Sequence, residues 1–334
     1  MRVLMAMSGG IDSTAAALLL REQGCEIIGC TFRTRYTRDE SIKAAVRLTQ
    51  NLGIEHHVSD YSERFETEVV TYFREEYLAG RTPNPCVVCN RRIKFGLLMD
   101  EADRLGCEFV ATGHYAQIAE DGGKYFLERA KDATKDQTYF LWQLNQQQLS
   151  RVIFPLGNMT KSQVRDYLAQ KGYVSLSQKG ESQDICFIED DYRTFLNLPD
   201  NPGNYVDESG RVLGRHKGYA NYTIGQRKGL GIALGTPAFV GWTDAERNEV
   251  MLTNHDALFT GEVRLRDVTF RGDDSLPIMA QIRYRSKGTR AFVRPSEQAG
   301  EWRVLFDEPV WAVTPGQSCV FYRDNRLIGG GIIE

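Results

Sequence analysis

The chain has 334 residues, a hydrophobic fraction of 42% and a formal net charge of −3. That length exceeds what a single hydrophobic core organises, so two or three domains are expected. No apolar run approaches the roughly 20 residues that span a bilayer, and no charged-then-apolar leader opens the chain, so a cytoplasmic protein without a membrane partner is expected. Seven cysteines (Cys25, Cys30, Cys86, Cys89, Cys107, Cys186, Cys319) are too sparse for a disulfide scaffold and direct attention to reactivity or metal binding.

Arg2 to Met7 reads as a buried strand and Thr14 to Gln23 as a helix, with Ser8-Gly9-Gly10-Ile11-Asp12-Ser13 between them. Two glycines let backbone N–H groups close on an anion, the serines add hydroxyl donors, and the helix N-terminus points its positive end at the same spot. No Gly-Lys-Ser/Thr follows, so this is not a Walker loop. It resembles the SGGxDS loop of the ATP pyrophosphatases, which split ATP into AMP and pyrophosphate. An ordinary strand-to-helix turn has a similar composition; the position after a buried first strand, where open α/β sheets bind nucleotides, favours the phosphate reading.

Further along, Cys25 to Phe32 and Glu55 to Asp60 read as strands and Asp39 to Asn51 as a helix. Phe65, Val69, Phe73 and Tyr77 mark one face of a long helix ending at Gly80. Arg81 to Asn90, with Pro83 and Pro85, is expected to be irregular, with Asn90 capping a helix that runs to Leu105. A strand from Glu108 to Thr112 delivers Gly113-His114-Tyr115 to a strand end. Gly122-Gly123 signals a hairpin, and Thr160 with Gln163 a capping box for a helix stopping at Gly172. The alternation over residues 1 to about 115 predicts an α/β fold with a doubly wound parallel sheet. Past residue 200 the texture turns to short β segments without a convincing helix. The expected domains are 1–200 (nucleotide hydrolase), 201–261 (small and β-rich) and 262–334 (β-barrel).

Cys86 and Cys89 form a Cys-x-x-Cys pair whose place beside a helix N-terminus predicts lowered thiol pKa values. Together with Cys186, literal motifs now accumulate: Arg81-Thr82-Pro83-Asn84-Pro85, Cys89-Asn90, Ile93-Lys94-Phe95, Ala111-Thr112-Gly113-His114-Tyr115, Lys135-Asp136-Gln137-Thr138-Tyr139-Phe140-Leu141, Ile185-Cys186-Phe187-Ile188, Gly225-Gln226-Arg227-Lys228-Gly229-Leu230-Gly231, Phe306-Asp307-Glu308-Pro309 and Thr314-Pro315-Gly316-Gln317-Ser318. In this order, from residue 3 to residue 334, they resemble the tRNA-specific 2-thiouridylase family.

The resemblance implies ATP-dependent 2-thiolation of a wobble uridine in tRNA. Adenylation of the C2 carbonyl oxygen makes it a leaving group for sulfur, and the base is flipped into a pocket. It implies ATP contacts at Ala6, Met7, Ser8, Gly9, Gly10, Ile11, Asp12, Ser13, Phe32 and Gly113, with Asp12 suited to Mg²⁺. It also implies catalytic thiols at Cys186, which carries a persulfide from a sulfur-donor protein (a cysteine desulfurase or a relay protein), and at Cys89, its disulfide partner. tRNA contacts fall on Asn84, Pro85, Cys86, His114, Lys135, Asp136, Gln137, Arg283, Tyr284 and Gln317.

One position departs from the family, which has Asp where this chain has Cys86. A thiol is a weaker, softer acid, so the acid/base role of that Asp does not carry over. Cys86, Cys89 and Cys186 can be read as ligands of a [4Fe–4S] cluster or as thiols of a persulfide relay, and a zinc site or idle redox pair has the same spacing. Between Arg264 and Arg294 eight Lys/Arg face three Asp, a local balance of +5 that suits an RNA surface. The remaining cysteines read as core. The rival readings are an ATP pyrophosphatase acting on a small metabolite, which would not need basic β domains, and a nonenzymatic tRNA-binding protein.

Overall fold

The computed structural model describes residues 1–180, 185–188, 191–198, 201–296 and 300–334. They form two compact units, one of Met1–Val69, Pro85–Glu189 and Asn325–Leu327, the other of Val70–Asn84, Asp190–Asp324 and Ile328–Glu334.

The first unit is built on a parallel sheet. Strands β1 (Arg2–Ala6), β2 (Glu26–Arg33), β3 (Glu55–Asp60), β4 (Phe109–Ala111) and β7 (Val152–Ile153) stand in the order β3-β2-β1-β4-β7. Every pairing is parallel, with Leu4 opposite both Ile28 and Val110. Helices α1 (Ile11–Glu22) and α2 (Asp39–Leu52) connect the first three strands. Val3, Met5, Ala15, Ala16, Leu20, Ala111 and Leu168 are fully buried in the shared core. The order reverses between β1 and β4. The loops leaving those two strands therefore flank the crevice where doubly wound sheets take ligands.

A hairpin of β5 (Gln117–Asp121) and β6 (Lys124–Glu128) joins this unit. Its two-residue turn has Gly122 at φ +57° and Gly123 at φ +74°, the left-handed pair that matches strand twist. The capping box also forms: Gln163 N–H donates to Thr160 Oγ1 at 3.3 Å and Thr160 N–H to Gln163 Oε1 at 2.9 Å, opening the helix Lys161–Gln170.

Two local expectations fail. The segment 81–90 is not wholly irregular, because Pro85–Cys89 is helical. Pro85 occupies the first helical position, where its missing N–H and fixed φ cost nothing. Asn90 is accordingly no cap. The helix runs through it into a π-helical stretch, Asn90–Leu97, and then Leu98–Arg104, while Asn90 Nδ2 donates to the Phe140 carbonyl at 3.0 Å. The long helix does form, running without interruption from Ser62 to Leu78, but with a π-helical stretch, Glu66–Val70, between Ser62–Phe65 and Thr71–Leu78. Its four marker residues recur every fourth position, which drifts about 40° per step on a helix of 3.6 residues per turn. The wider π turn absorbs that drift, and Phe65, Val69, Phe73 and Tyr77 are all buried.

The second unit holds two β layers. The sheet β10 (Phe239–Asp244), β11 (Glu249–Thr253), β8 (Gly203–Val206), β9 (Val212–His216) is antiparallel except for the β11–β8 pair. It packs around Tyr205, Tyr222, Val240 and Val250. The other six strands close into a barrel: β12 (Phe259–Phe270), β15 (Trp302–Trp311), β14 (Thr289–Pro295), β13 (Ile278–Gln281), β16 (Ser318–Arg323) and β17 (Arg326–Ile333), with β12 and β17 paired. The barrel interior is filled by Leu265, Ala291, Val293, Val304, Cys319 and Phe321, all with no exposed surface. No α-helix lies beyond residue 200 among the described residues, and none is long and apolar enough to cross a membrane.

Of the cysteines read as core, Cys30 and Cys319 lie buried in strands, and Cys107 is buried just ahead of β4. Cys25 is only half-buried and precedes β2.

Candidate active site

The loop after β1 is built for close approach. Gly9 sits at φ +69°, and a Cβ there would lie 2.9 Å from the backbone nitrogen of Ala45, so only glycine lets the loop pass α2. Gly10 is the extended N-cap of α1 and supplies no side-chain acceptor, leaving the first N–H groups of the helix available. Ser8 and Ser13 hydroxyls meet at 3.1 Å, Ser8 N–H donates to Ser13 Oγ at 3.3 Å, and Thr14 Oγ1 donates to the Gly10 carbonyl at 2.7 Å. The loop is thus locked before any ligand arrives. Gly113, leaving β4, lies against it: a Cβ there would meet the Asp12 carbonyl carbon at 2.8 Å and Ser13 N at 2.9 Å. Ala6 ends β1. Met7 is buried and its N–H donates to the Cys30 carbonyl, and Phe32 packs on Tyr61 with ring centroids 5.4 Å apart.

Two residues that sequence reasoning passed over complete this site. Lys161 Nζ reaches both carboxylate oxygens of Asp12, at 2.7 and 2.8 Å, and Tyr115 OH donates to Oδ1 at 2.8 Å. The Lys161 side chain is only 12% exposed. The available signal was its place directly after the capping Thr160, which fixes it at a helix start. Both Asp12 oxygens thus face the Lys161 ammonium, and the carboxylate positions the lysine.

Behind Tyr115, the motif residues brace the site. Tyr115 N–H donates to Gln137 Oε1 and Gln137 N–H to the Tyr115 carbonyl, each at 2.9 Å. Asp136 is buried and accepts from Arg129 Nη1 and Ala130 N, both at 3.0 Å, and from Thr138 Oγ1 at 2.7 Å. Asp136 is therefore a structural bracket, while Lys135 beside it is half-buried.

The cysteines contradict the lowered pKa expected of them. Cys86 does lie in the first turn of the short helix that opens at Pro85, with Cys89 at its end, but Cys89 is buried and Cys86 half-buried. Burial pushes the Cys86 thiol up to about 11 and that of Cys89 up to about 12, against a smaller downward pull from the Lys94 ammonium. Cys186 is exposed, yet near enough that its charge would raise both thiols further. Its neighbour Phe187 is anchored edge-on against Phe65 at 5.4 Å. No group of three or more His, Cys, Asp or Glu among the described residues is placed to hold a metal ion. Cys86, Cys89 and Cys186 thus do not form a cluster ligand set as they stand.

His114 is buried between Phe95 and Phe154, with Nδ1 2.7 Å from Thr112 Oγ1. Burial first, then Lys94, hold it well below the usual histidine range, so it is neutral near pH 7.

In the second unit, Asn84 is buried, and the segment before it is clamped by Gln317. The Gln317 amide donates to the Thr82 carbonyl at 2.9 Å and the Pro83 carbonyl at 3.2 Å. Arg283 and Tyr284 lie in the turn after β13, both half-buried. Arg283 donates to the Ala312 carbonyl and to Thr314 Oγ1, and its guanidinium stands 5.8 Å from the Trp311 ring centre. Pro85, by contrast, belongs to the first unit and is buried there.

An open parallel sheet with a locked glycine–serine anion cradle at its switch point defines a nucleotide-binding α/β protein, here carrying β-rich appendages. Three family models match in succession: "tRNA methyl transferase HUP domain" over residues 1–190, "tRNA methyl transferase PRC-barrel domain" over 194–254 and "Aminomethyltransferase beta-barrel domain" over 262–333. The tRNA-specific 2-thiouridylase MnmA of Carboxydothermus hydrogenoformans is 46% identical over 100% of this chain and 97% of its own length. The tRNA-specific 2-thiouridylase MnmA 3 of Bacteroides fragilis is 45% identical over 99% and 94%. A solved 4-thiouridine synthetase–RNA complex with bound ATP overlaps with a TM-score of 0.37 at 19% identity, over 54% of this chain and 42% of that one, too slight an overlap to argue from. The chain belongs to the tRNA-specific 2-thiouridylase family of enzymes.

Proposed function

We propose that this enzyme uses ATP to activate the C2 oxygen of a wobble uridine in tRNA and replaces that oxygen with sulfur. The reading is carried by one observation: the first unit holds both a preformed anion cradle with Lys161 and three thiols, exposed Cys186 with Cys86 and buried Cys89 nearby. Residues Ala6 to Ser13, Phe32 and Gly113 hold the nucleotide. Backbone N–H groups at the start of α1 and the Lys161 ammonium stabilise charge as pyrophosphate leaves. The uridine O2 attacks the α-phosphorus, giving a C2–O–AMP ester and pyrophosphate.

Sulfur then follows thiols alone. A donor protein charges Cys186 as a persulfide, whose terminal sulfur attacks C2 and expels AMP, leaving C2–S–S–Cys186. Cys89, deprotonated, attacks the Cys186 sulfur; the C2–S thiolate departs as 2-thiouridine and a Cys89–Cys186 disulfide remains. An external dithiol supplies the two electrons that reset the pair. The high pKa of Cys89 means its proton must be removed within the complex. Lys94 is the charge in place to stabilise the resulting thiolate.

On the tRNA side, Asn84, Pro85, Cys86 and His114 serve the flipped base, while Lys135 to Gln137, Arg283, Tyr284 and Gln317 serve the RNA. Asp136, Gln137 and Gln317 act by bracing. Methyl transfer, which the family-model names suggest, would use neither an ATP-splitting cradle nor a thiol pair. Purified protein incubated with tRNA, ATP and a persulfide donor should yield 2-thiouridine, AMP and pyrophosphate. ADP with phosphate, or tRNA without 2-thiouridine by nucleoside mass spectrometry, would refute the assignment.

A further inference from the structure

The outer wall of the barrel carries a row of like charges. Arg303 on β15 stands directly opposite Arg264 on β12 on one side and directly opposite Arg294 on β14 on the other. Around these pairs the residues alternate: Val263, Leu265, Val293 and Val304 point into the core, so the three arginines point out. Like charges directly across strands repel. With neighbouring strands about 4.8 Å apart, the three arginines spring from a backbone row about 10 Å long.

Local acids compensate the row only in part. Glu262 pairs with Arg303 at 3.4 Å, and Asp307 takes the neighbouring Arg290 at 3.5 Å. Among the described residues Arg264 and Arg294 close no ion pair. Arg294 does act at a distance on Asp273, a carboxyl held low first by Ser275 and then by Arg323 and Arg294. Glu301 lies in the adjoining hairpin. Next to the row the cross-strand pair Phe292 and Leu305 forms an apolar step; Leu305 is 41% exposed, and the Arg294 guanidinium lies 5.2 Å from the Phe292 ring centre.

We infer that the Arg264–Arg303–Arg294 ladder, with Phe292 and Leu305 beside it, is a docking surface for the sugar–phosphate backbone of RNA. This rests on the reading above that the substrate is a tRNA. A row of cations tolerated against its own repulsion is complementary to a chain of phosphates, and an arginine-capped aromatic step offers a face to a sugar or base. The surface differs from the Arg283–Tyr284 turn, where the guanidinium is engaged with the protein's own carbonyls.

The test is a salt titration of tRNA affinity for the full chain and the triple variant Arg264→Gln/Arg294→Gln/Arg303→Gln. Each lost phosphate contact lowers the log–log salt slope by about 0.7–0.9, so a fall of about 2 to 3 is expected, with weaker binding at low salt and unchanged ATP affinity. Removing mutual repulsion should leave the melting temperature equal or higher. Should the triple variant melt early, Arg264→Gln alone carries the test, with a slope fall of about 1. Unchanged affinity and slope in a folded variant overturn the inference, even if an acidic protein proves to bind there. Poly(U) as a second probe separates the two levels. A wild type that makes no 2-thiouridine refutes the function, while loss of poly(U) binding in the variant still upholds the ladder and unchanged binding overturns it.

Discussion

Lys161 holds both carboxylate oxygens of Asp12 from 149 residues away in the chain, at 2.7 and 2.8 Å, and the lysine side chain is 12% exposed while the aspartate keeps 35%. An ammonium held against the second residue of α1 adds a full positive charge to the fixed donors of the helix start. Removing it should slow pyrophosphate release by about 100- to 1000-fold, the cost of losing one preorganised charge donor. Lys161→Ala measured in a pyrophosphate assay gives the number, and Asp12→Asn should fall in the same direction by misplacing the lysine. A Lys161→Ala rate equal to wild type would remove the residue from the ATP site.

Gly113 tests the cradle without touching a charge. A methyl group there would meet backbone atoms of Asp12 and Ser13 at 2.8 and 2.9 Å, and backbone cannot swing aside as a side chain does. Gly113→Ala should displace the loop, cost about 1–3 kcal/mol as overpacking does, and weaken nucleotide affinity more than tRNA affinity. Isothermal titration with a non-hydrolysable ATP analogue reads this directly, and unaltered affinity would contradict a shared nucleotide site for the β1 and β4 loops.

Thiol reactivity should separate the three cysteines. Cys186 is exposed, while burial raises Cys86 to about 11 and Cys89 to about 12. Because the thiolate is the nucleophile, iodoacetamide near neutral pH should label Cys186 first and leave Cys89 unmodified until the protein is denatured. Peptide mass spectrometry after timed quenching identifies the order. Prompt labelling of Cys89 in the native protein would mean that its buried setting does not persist in solution.

The parallel sheet, the hairpin glycines and the capping box were legible because each is written in contiguous residues: a period-two or apolar run, a Gly-Gly pair, a Thr-x-x-Gln spacing. The failures share another origin. Pro85 reads locally as a breaker, although the first helical turn accommodates it. Nearness to a helix start predicts low pKa values for Cys86 and Cys89, but their burial is decided by packing that no local pattern encodes. Lys161 carries no local signal of its role because its partner, Asp12, lies 149 residues away in the chain. Asp136, equally, passes for a solvated turn until Arg129, Ala130 and Thr138 are seen closing on it.

His114 makes stability depend on pH with a definite sign. Its folded pKa lies well below the ordinary value because burial, and then Lys94, penalise the charged ring. The unfolded chain therefore binds the proton more readily, and stability that is complete above about pH 6.5 is lost as pH falls below it. His56 and His216, also lowered chiefly by burial, add to the same slope. His114→Asn keeps a polar atom toward Thr112 but does not titrate, so its melting temperature should start lower at pH 7 through lost packing against Phe95 and Phe154. Between pH 7 and pH 5 it should then fall less steeply than the wild type. Calorimetric melting across that range measures both slopes. Parallel curves for wild type and variant would show that His114 binds its proton equally in the folded and unfolded chains, against the burial that defines its place beside the cradle.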